Sequence, residues 1–214
     1  MKLPREGPIL CVAPHADDVE LGCGGTISRA IEEEVDVRII VFSTVEESVP
    51  VGAPVTQLRD EFIRAMEALG VPGDHLIVES YPVRRLSSFR QEVLDRLIAL
   101  GREISPELIL APGSSDVHQD HQVVHAECLR AFKGLSLLGY EAPWNNVTFS
   151  TNAFVTLEER HIEAKWRALG EYQSQFDLGR PYFTREFVYG LASVRGVQVR
   201  ATYAEAFEAV RLRI

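Results

Sequence analysis

Two clusters of polar side chains in this sequence have the residue types of a metal-dependent active site. The first runs from His15 to Asp18 and reads H-A-D-D, directly after an apolar run from Pro8 to Pro14. The second runs from Pro112 to His121 and ends in H-Q-D-H, directly after the apolar run Leu108 to Ala111. Imidazole and carboxylate ligands together suit zinc, and a catalytic zinc usually has three protein ligands and one open position. The clusters therefore predict a site for one zinc ion per chain.

Three residues of these clusters are the predicted metal ligands. His15 and Asp18 lie close enough on one turn to bind the same ion, and His121 can supply the third ligand from the second cluster. Asp17 is then left unligated beside the metal. Because zinc lowers the pKa of the water that it activates to about 7, a nearby carboxylate can take the proton while the water attacks a carbonyl carbon. We therefore predict that Asp17 is the general base of an amide hydrolase.

Two further residues of the second cluster are predicted to act on the reaction. His118 lies three residues before His121 at a predicted helix start, so it can stabilise an oxyanion or protonate a leaving amine. Asp120 can orient His118 and raise its pKa by stabilising its charge. His125 follows His121 by four residues and could also face the metal, but a fourth protein ligand would close the site.

Each cluster also has a simpler structural explanation. Adjacent aspartates after a strand often only form a turn or cap a helix. Here a histidine precedes them and H-x-D-H follows another strand, which favours the active site. The glycine-rich segment Gly22 to Gly25 could bind a phosphate at a helix start. It lacks the third glycine of G-x-G-x-x-G, however, and a tight turn with close helix packing explains it more simply.

The elements around both clusters alternate between strands and helices. The predicted strands cover residues 8–14, 35–43, 76–78 and 108–111, and the predicted helices cover residues 26–34, 56–69, 89–104, 119–132 and 158–172. This alternation predicts an α/β fold with a mainly parallel sheet and helices on both faces. In the common doubly wound order the first and fourth strands are neighbours, so the two clusters would face each other at the carboxyl edge.

The last third of the chain is predicted to be less regular. Residues 133–156 are expected to be irregular, residues 187–199 to form one or two extra strands, and residues 203–210 to form a short amphipathic helix. No linker or internal repeat is visible, so residues 1–214 are expected to form a single domain. The loops at residues 45–54 and 143–156 are expected to set substrate selectivity, because long loops above this edge shape such pockets.

The composition argues against several classes of function. The chain is 46% hydrophobic and 25% charged, with no apolar run near the roughly 20 residues that cross a bilayer. Its formal net charge of −9 argues against nucleic-acid binding, which needs clustered Lys and Arg. Its three cysteines form no C-x-x-C pair, so neither a disulfide framework nor a thiolate zinc site is expected. We expect a cytoplasmic protein. The sequence leaves open whether it forms a homo-oligomer.

The two clusters resemble the hallmark motifs of the PIG-L/LmbE-like family of zinc-dependent N-deacetylases. That hallmark is P-H-P-D-D, followed by a glycine-rich turn and a later H-x-D-H. Here the motifs read P-H-A-D-D from Pro14 and H-Q-D-H from His118. Residues 59–71, 165–175 and 203–207 are similar to further segments of the family. Ala16 replaces the second proline of the first motif, which removes no ligand.

The resemblance implies a Rossmann-like fold and a division of roles among the site residues. Zinc would bind to His15, Asp18 and His121, with base catalysis by Asp17 and transition-state help from His118. It also implies a small-molecule partner, an N-acetylglucosamine-type amino-sugar conjugate from which acetate is released.

A substrate contact and two alternative functions stay open at this point. Arg59 resembles a family position and carries a guanidinium that suits a carboxylate or phosphate, although a surface ion pair explains it equally well. A metal-dependent phosphoesterase uses the same ligand types but usually needs two metals and more carboxylates. A nucleotide-binding module would use the glycine-rich segment but would leave the H-x-D-H cluster unexplained.

Overall fold

The computed structural model describes residues 3–4, 6–45 and 54–213, and its strands form one seven-stranded sheet. The strands are β1 (Ile9–His15), β2 (Val37–Ser43), β3 (Leu76–Val78), β4 (Leu108–Pro112), β5 (Ser136–Tyr140), β6 (Ala153–Leu157) and β7 (Tyr203–Arg211). Their order is β3-β2-β1-β4-β5-β7-β6, in which β7 pairs antiparallel with β5 and β6 and the other pairs are parallel. The predicted α/β class and the pairing of β1 with β4 are confirmed.

Helices cover both faces of this sheet. Those of the described residues are α1 (Asp18–Glu32), α2 (Gln57–Leu69), α3 (Arg90–Ile104), α4 (Gln119–Ala131), α5 (Glu159–Leu169), α6 (Gln173–Asp177) and α7 (Arg185–Gln198). Alternate residues of β1 belong to two separate apolar cores. Ile9, Cys11 and Ala13 lie in the core that includes α1, α2, α5 and α7, whereas Leu10 and Val12 lie in the core that includes α3 and α4. Burial on both faces explains why β1 is an almost continuous apolar run.

The strand order reverses between β1 and β4. From β1 the chain moves outward to β2 and β3 and then returns to β4 on the other side of β1. In open α/β sheets, ligands bind beyond the carboxyl ends of the strands at such a point. Both polar clusters follow these two strands directly. No helix among the described residues is long and apolar enough to cross a bilayer.

The structure corrects the prediction for the C-terminal third. Residues 187–198 belong to helix α7 and Val199 is its C-cap, because the buried residues Val188, Ala192 and Gly196 recur at every fourth position, which is helical spacing. Residues 203–210 belong to strand β7 instead of a helix, since they pair between β5 and β6. Those two strands lie in the segment predicted to be irregular.

Helix α1 begins at Asp18, well before its predicted start at Thr26, and is interrupted by a kink at Cys23, whose φ is −147°. The glycine-rich segment therefore lies inside this helix and forms no phosphate-binding loop. Gly22 allows the close packing that the sequence predicted: a Cβ there would lie only 2.5 Å from the ring of Tyr140.

Buried side chains bond to the backbone at this kink. In a regular helix the Gly25 amide would donate to the Leu21 carbonyl. Here Lys165 Nζ donates to the Leu21 carbonyl over 2.7 Å, and Glu205 accepts from the Gly25 amide over 3.0 Å. Lys165 and Glu205 also form a buried ion pair at 2.7 Å, and Glu205 accepts from the amide and hydroxyl of Thr26. We call these five residues the kink network.

Candidate metal centre

The predicted metal ligands meet at the carboxyl edge of the sheet. His15 is the last residue of β1, Asp18 is the first residue of α1, and His121 lies in the first turn of α4, which follows β4. The pairing of β1 with β4 brings these three elements together, although His121 lies more than one hundred residues along the chain from His15. All three side chains are buried.

Their donor atoms form a nearly equilateral triangle. His15 Nδ1 lies 3.3 Å from Asp18 Oδ2 and 3.3 Å from His121 Nε2, and the distance between His121 Nε2 and Asp18 Oδ2 is 3.2 Å. A tetrahedral zinc with bonds of about 2.0 to 2.1 Å has ligand atoms separated by about 3.3 to 3.4 Å. Three corners of such a tetrahedron therefore fit these atoms. We call them the donor triangle.

A second set of three donors overlaps with this triangle. His15, His118 and His121 each offer a ligand atom, and these atoms lie within 4.8 Å of one another. The two sets share two histidines and differ in whether Asp18 or His118 completes the site. Because 4.8 Å exceeds the edge of a zinc tetrahedron, the set with Asp18 fits zinc more closely.

Two aspartates orient the histidines of the donor triangle. Asp116 Oδ2 accepts from His121 Nδ1 over 2.7 Å, which leaves Nε2 facing the triangle. Asp120 Oδ2 lies 2.9 Å from His15 Nε2, which leaves Nδ1 facing the triangle. Carboxylates commonly hold metal-binding histidines in this way. The donor triangle with Asp116 and Asp120 is called the metal centre below.

The role predicted for Asp120 needs correction. Its carboxylate contacts His15 and accepts from the amides of Arg84 and Leu86 over 2.6 and 3.1 Å. The carboxylate was expected to orient His118, but the contact with that residue runs from the Asp120 amide to His118 Nδ1, over 3.2 Å. His118 is the N-cap of α4, and this bond is its capping interaction. Sequence analysis gave no role to Asp116, whose only signal was its position five residues before His121.

The charges within the metal centre stabilise a cation. Burial opposes the charged form of His121, but Asp18 and Asp116 outweigh it and raise the pKa of this imidazole to about 10. His15 likewise has a raised pKa, because Asp120 and Asp18 outweigh its burial. Burial also opposes the charged form of Asp18, but the two histidines hold the pKa of this carboxyl well below its usual range. The carboxylates that stabilise protons on these imidazoles would also stabilise a metal cation in their place.

Asp17 lies beside the donor triangle in a constrained turn. Its φ is 88°, a left-handed conformation, and its amide donates to Tyr172 Oη over 3.2 Å. Tyr172, the residue before α6, in turn donates to the buried carboxylate of Glu20. This hydrogen bond links the start of α6 to α1. Burial and the neighbouring Asp18 charge raise the pKa of Asp17 to about 8. A cation bound to Asp18 would remove the second cause and favour the Asp17 carboxylate.

His118 is half-buried and faces the same space. Its ring centroid lies 4.8 Å from those of both His15 and His121. Burial and the charges of these histidines lower the pKa of His118, and they outweigh Asp120, which raises it as the sequence predicted. Because Nδ1 accepts from an amide, a neutral His118 ring carries its proton on Nε2.

A cavity of about 350 Å³ opens in front of the metal centre. Its wall includes Asp17, Asp18 and the three clustered histidines, together with Trp144, Arg180 and Tyr182. Arg180 and Tyr182 lie outside the loops that the sequence predicted to shape the pocket. Arg59 is exposed on α2 and is absent from this wall, although its neighbours Gln57 and Leu58 belong to it.

Two other predictions can be compared with this wall. His125 Nδ1 bonds the Pro112 carbonyl at 2.8 Å, and His125 is not part of either donor set. Of the loop at residues 45–54, Val45 lines the cavity, while residues 46–53 lie outside the described residues. Of the loop at residues 143–156, Trp144 and Asn145 line it.

Comparisons with known proteins show which family the sequence matches. Residues 10–132 match the model of the PIG-L family, described as GlcNAc-PI de-N-acetylase. The uncharacterized deacetylase YaiS of Escherichia coli is 25% identical over 180 residues, which cover 79% of this chain and 92% of YaiS. The diacetylchitobiose deacetylase of Thermococcus kodakarensis is 26% identical over 213 residues, which cover 86% of this chain and 78% of that enzyme.

A solved structure extends the similarity to the whole fold. The conserved protein TT1542 from Thermus thermophilus has a TM-score of 0.80 and 26% identity to this chain, with 96% of each chain covered. The fold and the polar edge define an α/β protein with a candidate metal site at its topological switch point. The family model covers more than half of the sequence, and the chain belongs to the PIG-L family of deacetylases.

Proposed function

We propose that this protein is a zinc-dependent N-deacetylase that removes the acetyl group from an N-acetylglucosamine-type conjugate. The donor triangle carries the proposal, because its three separations of 3.2 to 3.3 Å match one face of a zinc tetrahedron. The fourth corner would stay open for substrate or water. Family membership supports amide cleavage, and the chitobiose deacetylase among the relatives supports an amino sugar.

In this proposal His15, Asp18 and His121 hold the metal through Nδ1, Oδ2 and Nε2. A bound zinc ion would act as a Lewis acid on the acetamide carbonyl and would increase the acidity of water. Asp116 and Asp120 keep the two imidazoles in the orientation that this assignment needs. The rest of the chemistry comes from residues of the cavity wall.

Asp17 is the proposed general base. It lines the cavity beside Asp18, and its carboxylate accepts a proton from the water that attacks the acetamide carbon. When the carbon–nitrogen bond breaks, the same carboxyl group can return this proton to the amine. The products are then acetate and the free amino sugar. The Tyr172 bond to the Asp17 amide keeps the base in its left-handed turn.

His118 is the proposed donor to the oxyanion. The sequence left open whether it stabilises the oxyanion or protonates the amine. Its lowered pKa and its accepting Nδ1 both favour the neutral ring, in which Nε2 carries the proton. A neutral donor of this kind stabilises developing negative charge without an initial proton transfer.

Acetate release from a panel of N-acetylglucosamine conjugates tests the proposal. Zinc-loaded protein should release acetate from at least one conjugate, and treatment with a chelator should abolish release while circular dichroism stays unchanged. The fold should persist because the site lies on an otherwise complete sheet. If the protein binds two metal ions per chain and hydrolyses phosphate esters, the deacetylase proposal is wrong and the protein is a metal-dependent phosphoesterase.

A further inference from the structure

Arg180 is a half-buried arginine that forms no ion pair with a carboxylate among the described residues. Of the other half-buried arginines, Arg195 pairs with Glu141 and Arg38 pairs with Asp36, whereas Arg211 donates to the Phe132 carbonyl. Within residues 3–4, 6–45 and 54–213, the Arg180 guanidinium forms no ion pair, and it donates a hydrogen bond to the hydroxyl of Tyr182. A guanidinium is a strong bidentate partner for carboxylate and phosphate groups.

The side chain of Arg180 lines the cavity in front of the metal centre. Its positive charge acts on Asp17 and, more weakly, on Asp18, but it forms an ion pair with neither. The charge of Arg180 is therefore available to an anionic ligand in the cavity, on a chain whose formal net charge is −9.

Aromatic rings lie next to this guanidinium. Tyr182 stacks on Trp144, with ring centroids 4.2 Å apart and an interplanar angle of 15°, and both rings line the cavity. Stacking and the Tyr182 hydroxyl bond fix the position of Arg180 relative to the cavity wall. The wall thus combines an apolar aromatic surface, which suits the carbon-bound hydrogens of a sugar ring, with one fixed cation.

We propose that the substrate carries an anionic group, a carboxylate or a phosphate, attached to its N-acetylated sugar, and that Arg180 binds this group. This inference rests on the proposed deacetylase function and narrows its substrate class. Among amino-sugar conjugates it selects acidic ones over neutral ones. The sequence left such a role open for Arg59, which lies outside the cavity wall.

Matched probes test the inference. The neutral probe is methyl N-acetylglucosaminide, the phosphate probe is N-acetylglucosamine 1-phosphate, and the carboxylate probe is carboxymethyl N-acetylglucosaminide. Acetate release gives kcat/KM for each probe with zinc-loaded protein. Calorimetry with the three deacetylated products gives affinities that do not depend on turnover. Arg180→Gln is compared with Arg180→Lys and with Arg102→Gln, which removes the same charge from an exposed position on α3 outside the cavity.

The wild type should prefer at least one anionic probe over the neutral probe by about 10- to 100-fold, the usual weight of a charge-assisted hydrogen bond. Arg180→Gln should abolish this preference for the anionic probe, Arg180→Lys should keep part of it, and Arg102→Gln should keep all of it. The preferred probe then shows whether the anionic group of the substrate is a phosphate or a carboxylate.

Two results would overturn the inference: equal kcat/KM and equal product affinities across the wild-type panel, or an equal loss on all probes in Arg180→Gln. The second would mean that Arg180 acts on the reacting amide. If no probe is hydrolysed, the deacetylase proposal fails on this panel, whereas the product affinities still decide whether Arg180 selects an anion.

Discussion

The metal centre and the kink network are two buried polar regions that differ in how their charges are balanced. In the kink network one lysine faces one carboxylate, and the remaining bonds go to Leu21, Gly25 and Thr26 of the kinked helix. In the metal centre three carboxylates converge on two imidazoles. Even two protonated imidazoles leave one negative charge in excess there.

This difference separates a structural site from a functional one. The kink network is complete with the side chains of the chain itself, and its bonds hold the glycine-rich part of α1. The metal centre has an excess of negative charge and three donor atoms that converge on one point. Buried charges are retained only when they are paired or bind a metal. The comparison predicts that variants in the two regions fail in different ways.

Asp18→Ala should have the largest effect, since it removes one donor of the triangle and its only carboxylate. We expect the variant to lose bound zinc and all measurable acetate release, because a site reduced to two protein ligands loses much of its affinity. Metal analysis after dialysis against a weak chelator measures the zinc. An Asp18→Ala protein with full zinc content would remove Asp18 from the site and leave His118 as the third donor.

Asp17→Asn and His118→Ala should keep their zinc and lose turnover. We expect a loss of about 10²- to 10⁴-fold in kcat for Asp17→Asn, because an amide cannot accept the proton of water. For His118→Ala we expect about 10²- to 10³-fold, the weight of one oxyanion donor. Metal content and kcat are measured on the same preparations. If His118→Ala loses its zinc while Asp18→Ala keeps it, His118 is the metal ligand and Asp18 is not.

Lys165→Met should destabilise the fold without changing the metal centre. Removing one partner of a buried ion pair costs about 3 to 5 kcal/mol, because the buried Glu205 would lose its partner. Urea unfolding measures the free energy, and zinc per folded chain should stay at the wild-type level. Lys133→Met, at an exposed position, is the matched control. Equal stability of the two variants would contradict the role given to the kink network.

Asp116→Ala should weaken zinc binding by less than the loss of a ligand does. Orienting carboxylates typically contribute about 10- to 100-fold to metal affinity, and Asp116 accepts from His121 Nδ1. Competition with a chromogenic chelator measures the affinity. An unchanged affinity would show that His121 keeps its orientation without this carboxylate.

Arg59→Gln should have the smallest effect. Arg59 is exposed and lies outside the cavity wall, so stability should change by less than about 0.5 kcal/mol, and kcat/KM should match the wild type. Acetate release and urea unfolding check both values. A large increase in KM would restore the substrate contact that the sequence predicted.

The sequence predicted the β1–β4 edge and its two polar clusters because the relevant signals are local. Apolar runs followed directly by histidine and aspartate mark strand ends, and the doubly wound order then brings the ends together. Helix α7 was mistaken for strands because its three valines and its aromatic residues favour strands, although Val188, Ala192 and Gly196 recur at every fourth position. Residues 203–211 form a strand because they pair with both β5 and β6, which lie far away along the chain.

The finer contacts of the site could not be read from local sequence. Asp120 contacts His15 because α4 packs across the end of β1, a relation between segments more than one hundred residues apart. Arg180, Tyr182 and Trp144 belong to no motif, and folding alone brings their loops over the sheet edge. Such contacts depend on tertiary packing, which residue spacing does not encode.

An anomalous difference map at the zinc absorption edge, from crystals of zinc-loaded protein, tests the assignment of the metal ligands most directly. We expect one peak per chain, about 2.0 to 2.2 Å from His15 Nδ1, His121 Nε2 and an oxygen of Asp18, with His118 outside bonding distance. A peak coordinated by His118 in place of Asp18, or no peak between these residues, would contradict the account.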